Sequence, residues 1–406
     1  MYQLLYTNNP GRAGLHRLPY NRPIEYPYLR KLNLYRIAGC DSSAYWAWFI
    51  APCSGLQSLM WGGSPGQKFP TDLACATSVQ CHEEHTMAGQ YWNFWERLEE
   101  FIFTGNCAGI EDQCFERVFE RQIMAHEQED KRTHEAGHYH HSWSGQSKTL
   151  IKLLVSNSGF GPLALSAFMG MGHHLTIRRL NFLDCKHVSS TMVLDLLTVC
   201  PVLESFSADR VLGEDVFKDG RPWVCTKLKR LELFFDMSSP TLLPECLLLY
   251  IYGGIPLYDK EDNGNSENCQ EAKVQLATRD MVYTRLATLT ELEIMLLERR
   301  KFVTSLSYPS QPQDVQSAMQ EAVHVLHGSL FFMLREGLDK LRTLKRLRYT
   351  SVMDEPYLGE PELIWVKEHW PKVVDANDIR YWSYHTVVVR DLLASLIKKS
   401  MENNTA

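Results

Sequence analysis

A short pattern of apolar positions recurs along most of the chain, with apolar residues at its first, fourth and sixth places. It occupies 150–155 and again 177–182, where apolar and other residues alternate. Such alternation predicts a short β-strand with one buried face. After the second strand, the apolar residues from Val193 to Cys200 fall on one face of a predicted helix, which Ser189-Ser190 can cap and Pro201 ends. One unit is therefore a strand, a turn and a helix.

The unit recurs at a nearly constant period. Its fourth place is occupied nine times, by Leu32, Leu59, Phe101, Leu153, Leu180, Phe206, Leu231, Leu292 and Leu347. The four residues from Leu153 to Leu231 follow one another at intervals of 25 to 27 residues. The intervals before Leu153 and Leu347 are about two periods, and the interval before Leu292 is two periods plus an insertion. In the interval before Leu347, 330–332 is a candidate for a missing strand, so about ten to twelve irregular repeats are expected.

A strand-turn-helix unit of this length is typical of leucine-rich repeats. We therefore predict an α/β fold, an RNI-like leucine-rich-repeat solenoid with parallel strands on the concave face and helices on the convex face. The predicted organisation is an N-terminal segment or cap at 1–24, a solenoid at 25–380 and a C-terminal capping helix and tail at 381–406. Polar and charged clusters mark two insertions in the solenoid, at 105–148 and 253–270.

One unit matches a narrower pattern of cysteines and apolar residues. It comprises Cys185, Val188, Val193, Leu196, Cys200-Pro201 and Leu203. This spacing resembles the cysteine-containing leucine-rich repeats of F-box proteins. The segments 223–233 and 337–347, with Trp365 and 368–371 after them, look like the fungal F-box/leucine-rich-repeat family. The resemblance implies a non-enzymatic scaffold, namely the substrate-recognition region of an F-box subunit of a cullin ubiquitin ligase.

The family's F-box is a helical module that precedes the repeats and docks the adaptor of the ligase. No F-box is visible here, because the first predicted strand is already under way at Leu29. We therefore expect the cullin-ligase adaptor as a partner only if an F-box lies upstream. The alternative is a repeat-only protein-binding protein unrelated to ubiquitin.

Strand side chains that point away from the helices form the predicted binding surface for a target protein. The candidates are Lys31, Asn33, Tyr35, Arg179, Asn181, Ser205, Ser207, Asp209, Arg230, Glu232, Glu291, Glu293, Arg346 and Arg348. The same register places Ser58, Met60, Lys152 and Leu154 on this surface. Its mixture of both charges with a few apolar residues favours a protein partner over a phosphate backbone.

One segment has the form of a catalytic zinc motif. His134-Glu135-Ala136-Gly137-His138 fits H-E-x-x-H, in which two imidazoles bind zinc and the glutamate activates water. A zinc hydrolase is therefore an alternative. However, the polar residues 130–133 before it supply no apolar stripe, and Gly137 weakens a helix. We predict a His-rich loop, and hence no enzymatic activity, no catalytic residue, no metal site and no cofactor.

Composition narrows the remaining possibilities. The net charge of −6 argues against nucleic acid as the main partner. No stretch reaches the length of about 18 apolar residues that a membrane helix needs, so no membrane partner is expected. The eleven cysteines contain no C-x-x-C pair, and Cys40, Cys53, Cys185 and Cys200 are expected as buried thiols of the repeats. Without a signal-peptide pattern at the start, we expect a cytoplasmic or nuclear protein.

Overall fold

A computed structural model shows an α/β chain with a single parallel β-sheet. It describes residues 28–35, 53, 55–63, 98–105, 111–116, 118–119, 150–237, 267–297, 330, 334, 337–351 and 360–376. The segments predicted at 1–24 and 381–406 lie outside these residues, as does His134-Glu135-Ala136-Gly137-His138.

The sheet has nine strands, and each strand pairs in parallel with the next one in the chain. They are β1 (Lys31–Tyr35), β2 (Ser58–Gly63), β3 (Glu100–Gly105), β4 (Lys152–Val155), β5 (Arg179–Asn181), β6 (Ser205–Leu212), β7 (Arg230–Asp236), β8 (Ile294–Leu296) and β9 (Tyr349–Thr350). The predicted parallel sheet is confirmed. Because β8 pairs directly with β9, the expectation of an intervening strand at 330–332 is wrong.

Helices occupy connections between the later strands, and two more helices follow the last strand. They are α1 (Pro162–Gly170), α2 (Ser190–Val199), α3 (Gly213–Asp219), α4 (Glu267–Ala287), α5 (Glu360–His369) and α6 (Pro371–Ala376), with 3-10 turns at His173–Leu175 and Leu338–Thr343. The cap predicted for α2 is present, since the Ser189 hydroxyl accepts a hydrogen bond from the backbone N–H of Met192 at 3.3 Å. Among the described residues, none of the helices is long and apolar enough to cross a membrane.

The core is built from two columns of apolar side chains that run across the sheet. The first column stands two residues before each strand from β2 to β9, at Leu56, Leu98, Leu150, Ile177, Leu203, Leu228, Leu292 and Leu347. The second lies within the strands, at Leu32, Leu59, Phe101, Leu153, Leu180, Phe206, Leu231 and Met295. Buried residues of α1 to α4 belong to the same core. Each strand and helix therefore buries its apolar side mainly against its neighbours in the chain.

A recurring turn leads into the strands. The carbonyl of Cys200 accepts a hydrogen bond from the N–H of Leu203, three residues later, at 3.4 Å. The same turn forms at Cys53, Cys225, Leu289 and Leu344. Cys53, Cys185, Cys200 and Cys225 are buried free thiols, which confirms the expectation for the three of them that were predicted; Cys40 lies outside the described residues.

The register of the last two strands differs from the prediction by three residues. Met295 pairs with Leu231, and Thr350 pairs with Met295, in the places predicted for Leu292 and Leu347. The reason is that apolar residues recur every three positions there, as in Leu286, Leu289, Leu292 and Met295, so several alignments fit the apolar pattern equally well. Backbone hydrogen bonds from β7 and β8 select one of them.

Part of the predicted insertion at 105–148 belongs to the core. A short helical segment at 112–116 places Phe115 against Phe103 and Phe160, with ring centroids 5.8 and 5.5 Å away. Phe119 contacts Phe168 of α1 at 5.8 Å. This stretch therefore packs between β3 and α1.

Candidate functional site

The face of the sheet that points away from the core carries two columns of side chains, which we call the outer face. The first column is Lys31, Ser58, Glu100, Lys152, Arg179, Ser205, Arg230, Ile294 and Tyr349. The second is Asn33, Met60, Ile102, Leu154, Asn181, Ser207, Glu232 and Leu296. Since strand side chains alternate between the two faces, these residues interleave with the core columns.

The chemistry of the outer face changes from strand to strand. Across β2 to β4 the second column is apolar, with Met60, Ile102 and Leu154 side by side. Ile102 is only 3 % exposed, although it does not belong to the main core. Across β4 to β7 the first column is basic and polar, with Lys152, Arg179, Ser205 and Arg230 in adjacent register. An apolar strip therefore borders a basic one.

The carboxylates of the outer face already have partners. Glu100 accepts a hydrogen bond from the Ser58 hydroxyl at 2.7 Å. Glu232 accepts from the Ser207 hydroxyl at 3.2 Å and forms an ion pair with Arg230, also at 3.2 Å. Both Ser207 and Glu232 are buried. These contacts hold the two acids to their own neighbours on the sheet.

Lys152 and Arg179 are different, because they are like charges in direct register on neighbouring strands. Within the described part of the chain, neither side chain makes an ion pair or a hydrogen bond. Arg179 is exposed and Lys152 is half-buried. Like charges placed opposite each other destabilise a sheet, so this arrangement costs the fold some free energy.

A row of nine residues, seven of them charged, immediately precedes the strands, and we call it the charged row. It consists of Arg30, Gln57, Glu99, Ile151, Arg178, Glu204, Lys229, Glu293 and Arg348, each of which supplies or accepts a backbone hydrogen bond to the next residue of the row. Glu204 contacts both Arg178 at 3.2 Å and Lys229 at 3.5 Å. Gln57 donates to Glu99 at 3.1 Å. The charges of this row largely compensate one another.

Most of the predicted binding residues lie where the sequence placed them. Lys31, Asn33 and Arg179 are exposed on the outer face; Asn181, Ser205 and Arg230 are half-buried there; Ser207 and Glu232 are buried. Tyr35 is in β1, but its side chain is outside the described residues. Asp209 is exposed, lies in the irregular stretch of β6 between Ser207 and Arg210, and accepts a hydrogen bond from the N–H of Asp184 at 2.9 Å.

Four predicted positions are wrong as strand residues. Glu293 and Arg348 belong to the charged row before β8 and β9, where they lie 4.0 Å apart, and Glu291 pairs with Arg346 two residues earlier. The three-residue change of register places Ile294, Leu296 and Tyr349 on the outer face in their stead. Glu100 and Ile102 were also missed, although the strand pattern of β3 contained the signal.

Four of the five described cysteines are poor nucleophiles and poor metal ligands, because burial raises the pKa of their thiols. Burial raises the pKa of Cys53 to about 11, and raises that of Cys200 and of Cys225 to about 12. Burial also raises the pKa of Cys185, whose thiol donates to the carbonyl of Val155 at 3.0 Å. These thiols stay protonated at neutral pH. Among the described residues, no three His, Cys, Asp or Glu side chains form a group that could hold a metal ion.

Comparison with known proteins adds no family assignment. No protein-family profile matches the chain, and no curated protein matches it in sequence.

Proposed function

We propose that the chain is a leucine-rich-repeat solenoid that binds a target protein on its outer face. The observation that carries the proposal is the sheet itself: nine parallel strands in chain order present one continuous face, to which each strand contributes one or two side chains. Surfaces of this kind suit extended contact with another protein, because each repeat can carry a different side chain without disturbing the core.

The repeat assignment is supported by three features that recur together. These are the two apolar columns, the turn that begins at a cysteine or leucine, and the paired backbone hydrogen bonds at the start of each strand. In the last of these, the N–H groups of Lys229 and Arg230 both donate to the carbonyl of Glu204, at 2.8 and 3.1 Å. Glu293 and Ile294 repeat the arrangement on the carbonyl of Lys229.

We further propose, from the resemblance of 185–203, that this region recognises substrates for a cullin ubiquitin ligase. In that role the chain captures the target and other subunits supply the ubiquitin chemistry. The adaptor of the ligase is a partner if an F-box precedes the repeats. The proposal assigns the chain no catalytic residue, cofactor, nucleic-acid partner or membrane partner, and a cytoplasmic or nuclear location.

Photo-crosslinking tests the binding face. A benzophenone amino acid at Asn181 stands on the outer face, whereas the same group at Ser166 stands on the exposed side of α1. We expect discrete crosslinked products from Asn181 in cells, and none of the same mass from Ser166. Equal products from both positions, or products from Ser166 alone, would contradict the proposal.

Affinity purification tests the ubiquitin role separately. Recovery of a cullin and its adaptor with the tagged full-length protein supports ligase recognition. Crosslinks at Asn181 without cullin or adaptor would leave the binding face in place and favour the repeat-only alternative.

A further inference from the structure

Lys152 and Arg179 are two like charges side by side on the outer face, and among the described residues neither has an ionic partner. Adjacent parallel strands lie about 4.8 Å apart, so the two side chains begin within reach of a single anion. On one side, Glu100 is the register partner of Lys152, but its carboxylate bonds to Ser58 and forms no ion pair with the lysine. On the other side, the register partner of Arg179 is the uncharged Ser205.

The group next to the pair can donate a hydrogen bond. The Ser205 hydroxyl lies on the next strand, in register with Arg179. Two cations and a hydroxyl thus occupy adjacent register positions on β4, β5 and β6, and this composition suits an anion.

The neighbourhood favours a single carboxylate over a polyanion. Glu100 and Glu232 lie on the same face, one strand before Lys152 and two strands after Arg179. A nucleic-acid backbone laid across the strands would bring further phosphates against these acids, and the chain as a whole is negative. Leu154, which is half-buried, is two residues along β4 from Lys152, about 6.5 Å away, and offers an apolar contact beside the two cations.

We propose that Lys152 and Arg179 bind the carboxylate of an acidic residue in an extended segment of the target protein. An apolar side chain two or three residues further along that segment packs against Leu154. This inference rests on the proposed binding function of the outer face. The negative charge of the partner's acid neutralises the positive charges of Lys152 and Arg179, so the repulsion between the two cations is relieved only in the complex.

Selection from a random peptide library tests the proposal. The probe is a library of short random peptides, and the bait is the purified full-length chain. Hydrogen bonds between charged groups are worth roughly 1.5–3 kcal/mol, so retained peptides are expected to be enriched about tenfold or more in Asp and Glu relative to Asn and Gln. Leucine or another apolar residue is expected two or three places from the acid.

A charge-reversed variant identifies the site. Lys152→Glu together with Arg179→Glu is expected to lose the enrichment in acids and to select Lys and Arg instead. The matched control, Lys186→Glu with Arg342→Glu, changes the net charge equally at two exposed positions outside the outer face and should select acids as the unmodified chain does. Cooperative thermal unfolding of both variants establishes that they are folded.

Two results would overturn the inference. One is a library selection without preference for acids, and the other is a preference that survives the charge reversal at Lys152 and Arg179. Failure of the proposed function is distinguishable, because it removes the Asn181 crosslinks themselves. If those crosslinks persist with undiminished yield in the charge-reversed variant, the face binds a target but the anion site is wrong.

Discussion

The carboxylate of Asp112 caps the N-terminus of α1, although Asp112 lies 49 residues before Gly161, the first residue whose N–H it binds. Oδ1 of Asp112 accepts hydrogen bonds from the N–H groups of Gly161 at 2.8 Å and Ala164 at 2.9 Å, and Oδ2 accepts from Leu163 at 2.9 Å. The residue before α1 is a glycine, which has no side chain with which to cap the helix itself. We therefore predict that Asp112→Ala destabilises this part of the fold.

The expected magnitude follows from the surroundings of the three donors. Loss of a helix cap costs about 1 kcal/mol. The donors of Gly161 and Ala164 are partly buried and regain water poorly, which adds about 1–2 kcal/mol, whereas Leu163 is exposed and water can replace the carboxylate there. The total is about 2–3 kcal/mol. Asp112→Asn keeps one acceptor oxygen and is expected to cost about 1 kcal/mol.

Native-state hydrogen exchange is the suitable assay, because it reports the free energy of opening for α1 alone. Glu111→Ala is the matched control, since it removes an exposed neighbouring carboxylate and should change that free energy by less than about 0.5 kcal/mol. Gly161→Ala tests the same contact from the helix, because an added Cβ would lie 2.7 Å from Oδ2 of Asp112. A change below about 0.5 kcal/mol for Asp112→Ala, or an equal change for Glu111→Ala, would refute the capping role.

Four further predictions follow from the core, the thiols and the His134 motif. Leu231→Ala removes a fully buried side chain from the second core column and is expected to lower the free energy of unfolding by about 2–5 kcal/mol. Leu163→Ala is the control, because its exposed position predicts a small effect, and urea unfolding measures both variants. Cys200 and Cys225 are expected to resist iodoacetamide in the native protein at pH 8 and to react in urea, as mass spectrometry of the two peptides will show; rapid native labelling would contradict their burial. Burial raises the pKa of both thiols from the ordinary 9.0 to about 12, so between these values the thiols ionise in the unfolded chain before they ionise in the folded one. The free energy of unfolding should therefore fall as the pH rises from about 9 towards 12. In urea unfolding, Cys200→Ala should make this dependence on pH less steep. Finally, purified protein is expected to contain substoichiometric zinc, unchanged by His134→Ala with His138→Ala; stoichiometric zinc lost in that variant would favour the hydrolase alternative.

Where the repeat is regular, periodicity was sufficient to locate the elements. From β4 to β7 the strand positions, their outward residues and the cap of α2 follow from the spacing of Leu153, Leu180, Phe206 and Leu231. At β8 the same reasoning was wrong by three residues, because apolar residues at every third place fit more than one register. Hydrogen bonding to the previous strand removes that ambiguity, and no single segment contains the information.

The sequence by itself determined that short strands and crossovers alternate, and that one side of each strand is apolar. Both features follow from the spacing of apolar residues within one short segment, so each segment can be interpreted without the rest of the chain. Only the tertiary structure decided that Asp112 caps a helix in a later unit, that Glu100 and Glu232 bond to their own neighbours, and that Lys152 and Arg179 do not. Ion pairs and caps depend on side-chain directions across strands that are far apart in the chain, and the apolar period does not encode those directions.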